Sequence, residues 1–199
     1  MSGPTKVRRQ DLAMDEARSQ ALLTRGFCGR LATVGADGAP YCTTMLYVWM
    51  EGRIHMHGTA TRGHLRSNID HEARVCFTID EPGPVFDYGR FECDSTVSYV
   101  SVVAFGRVRV VEEAATKQRF FEALMAKYRT ADATRPDTMR PRAFFPRIDQ
   151  IALYALEIER LTGKEIVLPD ISAQWPALDR TKTPNARPPI GSSLRSSGA

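Results

Sequence analysis

The residues best suited to chemistry in this sequence lie between Arg53 and Leu65. The first part of this stretch alternates apolar and polar side chains with the period of a half-buried strand, and Gly58 then lets the backbone turn. The loop that follows is dense in phosphate-binding groups, namely Thr59, Thr61, Arg62 and His64. A helix beginning near Arg62 would direct its unpaired N–H groups to the same place. The pattern indicates a site for a phosphorylated cofactor.

Several of these residues also have a purely structural interpretation. Thr59 and Thr61 are suited to capping the helix, and His57 is suited to an ordinary strand position. His55 and His57 have the spacing of two metal ligands, but the sequence offers no third ligand, so we predict no metal site. Arg62 favours a bound anion, because the dipole at a helix start disfavours cations.

Composition limits the kinds of protein this chain can be. Its 199 residues are 43% hydrophobic, which suits one domain with a substantial core. The segment after Pro176 contains four cations and one acid, which account for three of the four net positive charges. The rest of the chain is therefore nearly neutral and lacks the broad basic surface of a nucleic-acid-binding protein. No apolar stretch reaches the roughly 18 to 20 residues of a membrane span, and we expect a cytoplasmic protein without membrane contact. The four cysteines are spread along the chain without a Cys-x-x-Cys pair, which predicts free thiols.

Hydrophobic periodicity predicts strands joined mostly by short turns. Strands are expected over 27–34, 41–50, from 53 to the loop, 73–79, 98–111 and 150–161. Helices are expected over 14–25, 62–71 and 112–128. The sequence predicts an Asp-Gly turn within 35–40, a break in the fourth strand at 81–84 and a loop over 85–95. It also predicts a bend at Gly106 and a basic connection over 130–146. The hairpins are too short for parallel crossovers, which favours a small β-barrel.

The chain divides into three parts by composition. Residues 1–26 form an N-terminal helical segment, and residues 27–169 form the barrel domain. Residues 170–199 are rich in proline and serine and lack the apolar side chains that would offset their ordering entropy. We therefore predict a partly disordered tail.

Five segments, taken together, resemble a known family. They are GRLATVGADGAP at 29–40, HGTATRGHL at 57–65, RVCF at 74–77, SVVAFGR at 101–107 and LTGK at 161–164. In order and spacing they resemble the FMN-binding split β-barrel proteins related to pyridoxamine 5'-phosphate oxidase, in the branch of nitroimidazole-resistance (Nim-type) proteins. The resemblance covers roughly residues 27–164. It implies a mainly β (α+β) fold, a six-stranded split β-barrel of Greek-key type with flanking helices.

The resemblance also implies a homodimer with FMN in a groove between the subunits. The phosphate would be held by the first strand and by the loop after the third strand. On the first strand, Arg30 and then Thr33, which follows it on the strand period, would contact the phosphate or the ribityl chain. The cofactor contacts it implies are Arg30, Thr33, Thr44, Met45, His57, Gly58, Thr59, Thr61, Arg62, His64 and Ser101. Where the family loop often carries a lysine, this chain has Gly63 or His64, so Arg62 bears more of the phosphate charge.

The implied activity is flavin-dependent hydride or electron transfer to or from a small molecule, with no catalytic side chain assigned. The basic residues that hold pyridoxal phosphate in full oxidases have no counterpart after Leu161, so vitamin synthesis is not expected. The alternatives are a non-catalytic flavin-binding or sensor protein, a deazaflavin-using reductase, and a haem-binding relative with an axial histidine.

Overall fold

The computed structural model describes residues 6–87, 93–131 and 148–168. The helices are α1 Glu16–Arg25, α2 His64–His71 and α3 Ala114–Ala131. The strands are β1 Ala13–Met14, β2 Gly29–Val34, β3 Pro40–Met45, β4 Tyr47–Met50, β5 Arg53–Thr59, β6 Arg74–Asp87, β7 Ser95–Val111 and β8 Ile151–Ile166. Most of the predicted connection over 130–146 and the whole tail over 170–199 lie outside the described ranges. Among the described helices, none combines the length and apolarity needed to cross a bilayer.

The strands form one antiparallel sheet in the order β3-β2-β6-β7-β8-β5-β4, with β1 added beside β8. β3 and β4 stand at opposite ends of this order, yet only Leu46 separates them in the chain. The sheet must therefore curl until its two ends approach each other, although it does not close. This confirms the predicted mainly β (α+β) split barrel with flanking helices. The described residues form eight strands rather than six, because the strand predicted over 41–50 is divided at Leu46 and β1 is additional.

Two tight turns join neighbouring strands, and the sequence predicted the first of them. Between β2 and β3, the Ala39 N–H donates to Asp37 Oδ1 at 3.0 Å and Gly38 has φ +79°. Between β4 and β5, Glu51 and Gly52 have φ values of 54° and 69°, the geometry of a two-residue type I′ turn. The Asp-Gly hairpin prediction is confirmed.

The predicted break at 81–84 is wrong, because β6 continues through it to Asp87. β2 pairs with β6 only as far as Thr78, so the prolines that follow lie on an unpaired edge of β6. An edge strand tolerates proline because its missing N–H has no partner to lose. The irregularity is confined to a register shift between Pro82 and Val85. The loop predicted over 85–95 is thus shorter than expected, and its centre, 88–92, lies outside the described residues.

The long β7–β8 ladder carries the predicted bend at Gly106. The register shifts between Phe105 and Gly106, and the backbone of Gly106 lies against that of Glu157. A Cβ at this position would overlap the Glu157 carbonyl. Only glycine therefore allows the two strands to approach so closely here.

Two apolar clusters lie on the two faces of the curled sheet. The barrel interior is filled by side chains from α1 and most strands, including Leu22, Leu31, Ile54, Met56, Phe77, Val102 and Tyr154. Outside it, α3 packs Phe120, Phe121 and Leu124 against the outer faces of β4, β5 and β8. Both faces of β5 are consequently buried, although its alternating sequence predicted a half-buried strand.

Tyr47, the first residue after the crossing at Leu46, is fixed on every side. Its ring is fully buried against Phe77, and its hydroxyl donates to the Leu23 carbonyl at 2.7 Å. Its N–H donates to Tyr128 Oη at 3.1 Å, and its carbonyl accepts from Lys127 Nζ at 3.2 Å. These bonds satisfy the backbone N–H and carbonyl of Tyr47, which lies just beyond the end of β3. They also tie the crossing to α1 and α3.

Replacing Gly106 with alanine should destabilise the fold by about 1 to 3 kcal/mol, because the added methyl group meets backbone rather than a movable side chain. Urea unfolding followed by circular dichroism measures the loss. Gly63→Ala is the control, since nothing lies within 4 Å of a Cβ there and its φ is −111°. Equal effects of the two substitutions would contradict the steric argument.

Candidate functional site

The loop after β5 leads into a helix start with unpaired N–H groups. Gly63 is the N-cap of α2, and no side chain caps the helix. Its carbonyl accepts the first helical bond, from Ser67 N at 3.0 Å, which leaves the N–H groups of the first turn pointing outward. Thr59 and Thr61 are exposed and do not cap the helix, so their structural interpretation is wrong. The exposed hydroxyls and N–H groups are suited to an anion.

Two arginines border this helix start and share one carboxylate. Arg62 Nη2 lies 3.1 Å from Asp70 Oδ2, and Arg66 Nε lies 2.8 Å from Asp70 Oδ1. The Arg62 side chain is 68% exposed, so its guanidinium also faces solvent. With two cations and one acid, the cluster keeps a net positive charge beside the free N–H groups.

An aromatic stack joins this loop to the edge of the sheet. The ring of His64 lies parallel to that of Tyr41 on β3, with centroids 4.6 Å apart and planes at 8°. The stack holds the start of α2 against β3, across the open side of the barrel. It therefore fixes the distance between the loop and the β3 edge.

The split of the barrel lies between β3 and the end of β5. β3 pairs with β2 alone among the described strands, and β4 covers β5 only from Arg53 to Met56. The outer edges of β3 and of residues 57–59 thus have no sheet partner in the described chain. Thr43, Thr44 and Met45 lie along one of these edges, and His57, Gly58 and Thr59 lie along the other. Backbone donors and acceptors on the two edges are placed to bind a planar polar group.

Arg30, Thr33 and Ser101 do not lie on these two edges. Arg30 and Ser101 share the outer face of the sheet with Thr44, and there Arg30 pairs with Asp80, which lies opposite Ser101 in the ladder. Thr33 points to the opposite face, is 2% exposed, and its Oγ1 accepts from Asn68 Nδ2 at 3.0 Å. The expectation that Thr33 shares a face with Arg30 is wrong, because strand residues three apart point to opposite sides. A cofactor contact for any of these residues stays a prediction.

His57 is held in an aromatic pocket under α3. Its ring centroid lies 5.7 Å from that of Phe120 and 5.4 Å from that of Phe121. Its Nδ1 is buried and has no hydrogen-bond partner, and burial lowers the pKa of the imidazole. His55, 1% exposed, has the same unpartnered Nδ1 and a pKa lowered first by burial. Both rings are therefore neutral at pH 7. Within the described ranges no three His, Cys, Asp or Glu side chains gather as metal ligands would.

Three residues of this site were not predicted: Tyr41, Arg66 and Asp70. The last two carried a signal, since Arg62, Arg66 and Asp70 follow at spacings of four, which brings side chains together on a helix. Tyr41 carried none, because its stack with His64 joins residues that are neighbours only in the fold.

The fold and the loop at its open side define the class of split β-barrel proteins. Residues 15–165 match the family model of Pyridoxamine 5'-phosphate oxidase, and the chain belongs to that family. No curated protein matches the sequence.

Solved structures share the fold at low sequence identity. The flavocytochrome Anf3 from Azotobacter vinelandii has a TM-score of 0.67 at 20% identity, with 95% of this chain and 94% of that one covered. A protein assigned to 5-nitroimidazole antibiotic resistance from Bacteroides thetaiotaomicron has a TM-score of 0.62 at 16% identity, covering 77% and 86%. An FAD and haem binding protein from Mycobacterium smegmatis has a TM-score of 0.59 at 19% identity, covering 76% and 71%.

The two buried histidines should make the protein less stable in mild acid. Burial lowers their folded pKa values below the ordinary histidine pKa of about 6.5, so between the two pKa values the unfolded chain binds more protons. The stabilisation is present above pH 6.5 and is lost as pH falls toward the folded pKa, at up to about 1.4 kcal/mol per pH unit for each histidine.

Urea unfolding between pH 7 and 5 measures this slope. We expect a shallower slope in His57→Gln and in His55→Gln, whatever their stability at pH 7. His71→Gln, which changes an exposed histidine, should keep the wild-type slope. Identical slopes in all four proteins would show that the buried rings take up protons in the folded state.

Proposed function

We propose that this protein binds FMN and uses it as an oxidoreductase acting on a small molecule. The observation that carries the proposal is the uncapped start of α2, with Arg62 and the Tyr41–His64 stack beside it, at the edge of the open β3 strand. The phosphate is assigned to this helix start, where N–H groups and a guanidinium converge. Bound FMN would supply hydride or electron transfer.

The donors of the site match the parts of FMN. A phosphate dianion suits the N–H groups of the first turn of α2, the exposed Arg62 guanidinium and the hydroxyls of Thr59 and Thr61. The polar edges of an isoalloxazine ring suit the unpaired backbone groups of β3 and of His57 to Thr59. The neutral His57, packed against Phe120 and Phe121, holds that edge in place without adding a charge.

Similar proteins bind related cofactors. The structural neighbours include a flavocytochrome and proteins that bind FAD, one of which also binds haem. FMN is proposed here over haem because His55 is 1% exposed and the ring of His57 packs against Phe120 and Phe121, so neither strand histidine lies on an open face. The free cysteines at 28, 42, 76 and 93 support a reducing location, and we propose the cytoplasm.

The cofactor groove is proposed to form between two copies of the chain. Ser101 lies opposite Lys164 and Thr59 lies opposite Ile151, positions separated by about 40 Å of strand along β8. One FMN molecule cannot touch both in a single chain. The outer face that carries Ser101 also presents half-buried apolar side chains, among them Val103 and Phe105. A second copy packed on this face would cover them and bring its Ser101 toward the loop of the first.

FMN binding is tested by titration of the purified protein, followed by flavin absorbance and fluorescence. Arg62→Ala should weaken binding by about 2 kcal/mol, or roughly 30-fold in Kd, if a charge-assisted phosphate contact is lost. Arg74→Ala is a matched control, because Arg74 is equally exposed at 68% and is also paired with one acid, Glu72. A protein that takes up no FMN would refute the proposal, and equal Kd values for the two variants would refute the role of Arg62.

The shared groove predicts a dimer. Size-exclusion chromatography with light scattering should give about twice the chain mass of 22.2 kDa. Val103→Asp should shift the dimer toward monomer and weaken FMN binding together, because a charge is placed on the apolar outer face. A wild-type monomer that binds FMN with full affinity would exclude the two-chain groove.

A further inference from the structure

Two side-chain contacts attach α2 to the sheet, and their spacing matches on the two sides. On the helix, His64 and Asn68 are four residues apart, which places them on one face about 6 Å apart along the axis. On the sheet, Tyr41 and Thr33 lie directly opposite each other in the β2–β3 ladder, about 5 Å apart. His64 stacks on Tyr41, and Asn68 bonds to Thr33. The helix therefore crosses the two strands, with its first turn at the β3 edge.

The contact between Asn68 and Thr33 is a buried hydrogen bond between two side chains. The two residues are only 3% and 2% exposed. The Asn68 amide donates to Thr33 Oγ1 at 3.0 Å, and the Thr33 hydroxyl donates in turn to the Tyr41 carbonyl at 3.5 Å. The bond thus connects the helix to the same residue, Tyr41, on which His64 stacks. Removing one partner leaves the other in the interior without this bond, which costs more than the bond itself contributes.

The two contacts fix the direction in which the start of α2 faces. A single contact would let the helix pivot, whereas contacts at two positions on one face prevent rotation about either of them. The first turn, whose N–H groups have no capping side chain, is therefore held beside the open edge of β3. Several such N–H groups must converge on an anion to bind it well, so the orientation of the helix decides the affinity.

We propose that Asn68 and Thr33 are positioning residues for a phosphate group at the start of α2, and that their bond sets the preference of the site for FMN over riboflavin. The inference rests on the proposed function, because it takes the phosphate of FMN as the ligand of this helix start. Thr33 acts through Asn68, and Asn68 acts through the helix that it holds. Riboflavin has the same ring but no phosphate, so its affinity does not depend on the orientation of α2.

Titration of the full chain with FMN and with riboflavin separates this role from a merely structural one. In Thr33→Val and in Asn68→Leu we expect FMN to bind about tenfold more weakly and riboflavin to stay within about twofold of wild type. Thr33→Ser keeps the hydroxyl and should keep the wild-type ratio of the two affinities. Ser19→Ala is the control, because it removes another 2% exposed hydroxyl, which donates to the Asp15 carbonyl in α1. It should leave the ratio unchanged.

Hydrogen exchange of the protein without flavin measures the hold on α2 directly. The Glu72 amide donates to the Asn68 carbonyl at 2.8 Å at the end of α2, and it should exchange faster in Thr33→Val. The Gly26 amide, which donates to the Leu22 carbonyl at 2.8 Å at the end of α1, is the internal reference and should keep its rate.

Three results would overturn the positioning role. They are an unchanged FMN affinity in both Thr33→Val and Asn68→Leu, an equal loss of FMN and riboflavin affinity, and unchanged exchange in α2. A wild-type protein that binds neither flavin would instead refute the proposed function and the preference for FMN. In that case, faster exchange of α2 in Thr33→Val would still support the hold on the helix.

Discussion

The crossing of the chain at Leu46 is the constraint on which the rest of the molecule depends. One residue separates two strands that stand at opposite ends of the sheet, so the sheet must curl, and it stays open because β3 and β4 do not pair. The crossing is kept in place by Tyr47, whose ring, hydroxyl, N–H and carbonyl all have partners. Lys127 is half-buried beside the Tyr47 ring, and this burial lowers the pKa of the lysine ammonium group to about 8. The open edges that this arrangement leaves are the edges of the candidate cofactor site.

The distribution of charge follows from the same architecture. Long antiparallel ladders place oppositely charged side chains side by side on exposed faces, as between Arg109 and Glu157 or Arg107 and Glu159. Such exposed pairs contribute little to stability, but they neutralise most of the surface. A cation that stays largely in solvent is therefore informative. Arg62 shares Asp70 with Arg66 and keeps an exposed guanidinium beside an uncapped helix.

α3 explains why β5 is buried on both faces. Its phenylalanines cover the outer side of the strand, where the sequence places His55 and His57. Burial makes both imidazoles neutral and leaves their Nδ1 atoms without partners, an arrangement that costs stability in acid. The histidines thus hold the edge of the split as uncharged packing groups, and the loop that follows carries the charge.

The sequence by itself determined the strand pattern, the Asp-Gly turn, the bend at Gly106 and the concentration of hydroxyl and cationic side chains in the loop from Thr59 to His64. These features are local, since they follow from residue period, backbone freedom and side-chain type over a few positions. Tertiary structure decided that β6 passes through its prolines, because only the sheet order shows that they lie on an edge. It also decided the stack of Tyr41 on His64 and the burial of Thr33 against Asn68. Each of these joins residues distant in the chain, and no local pattern specifies which distant residues a curled sheet brings together.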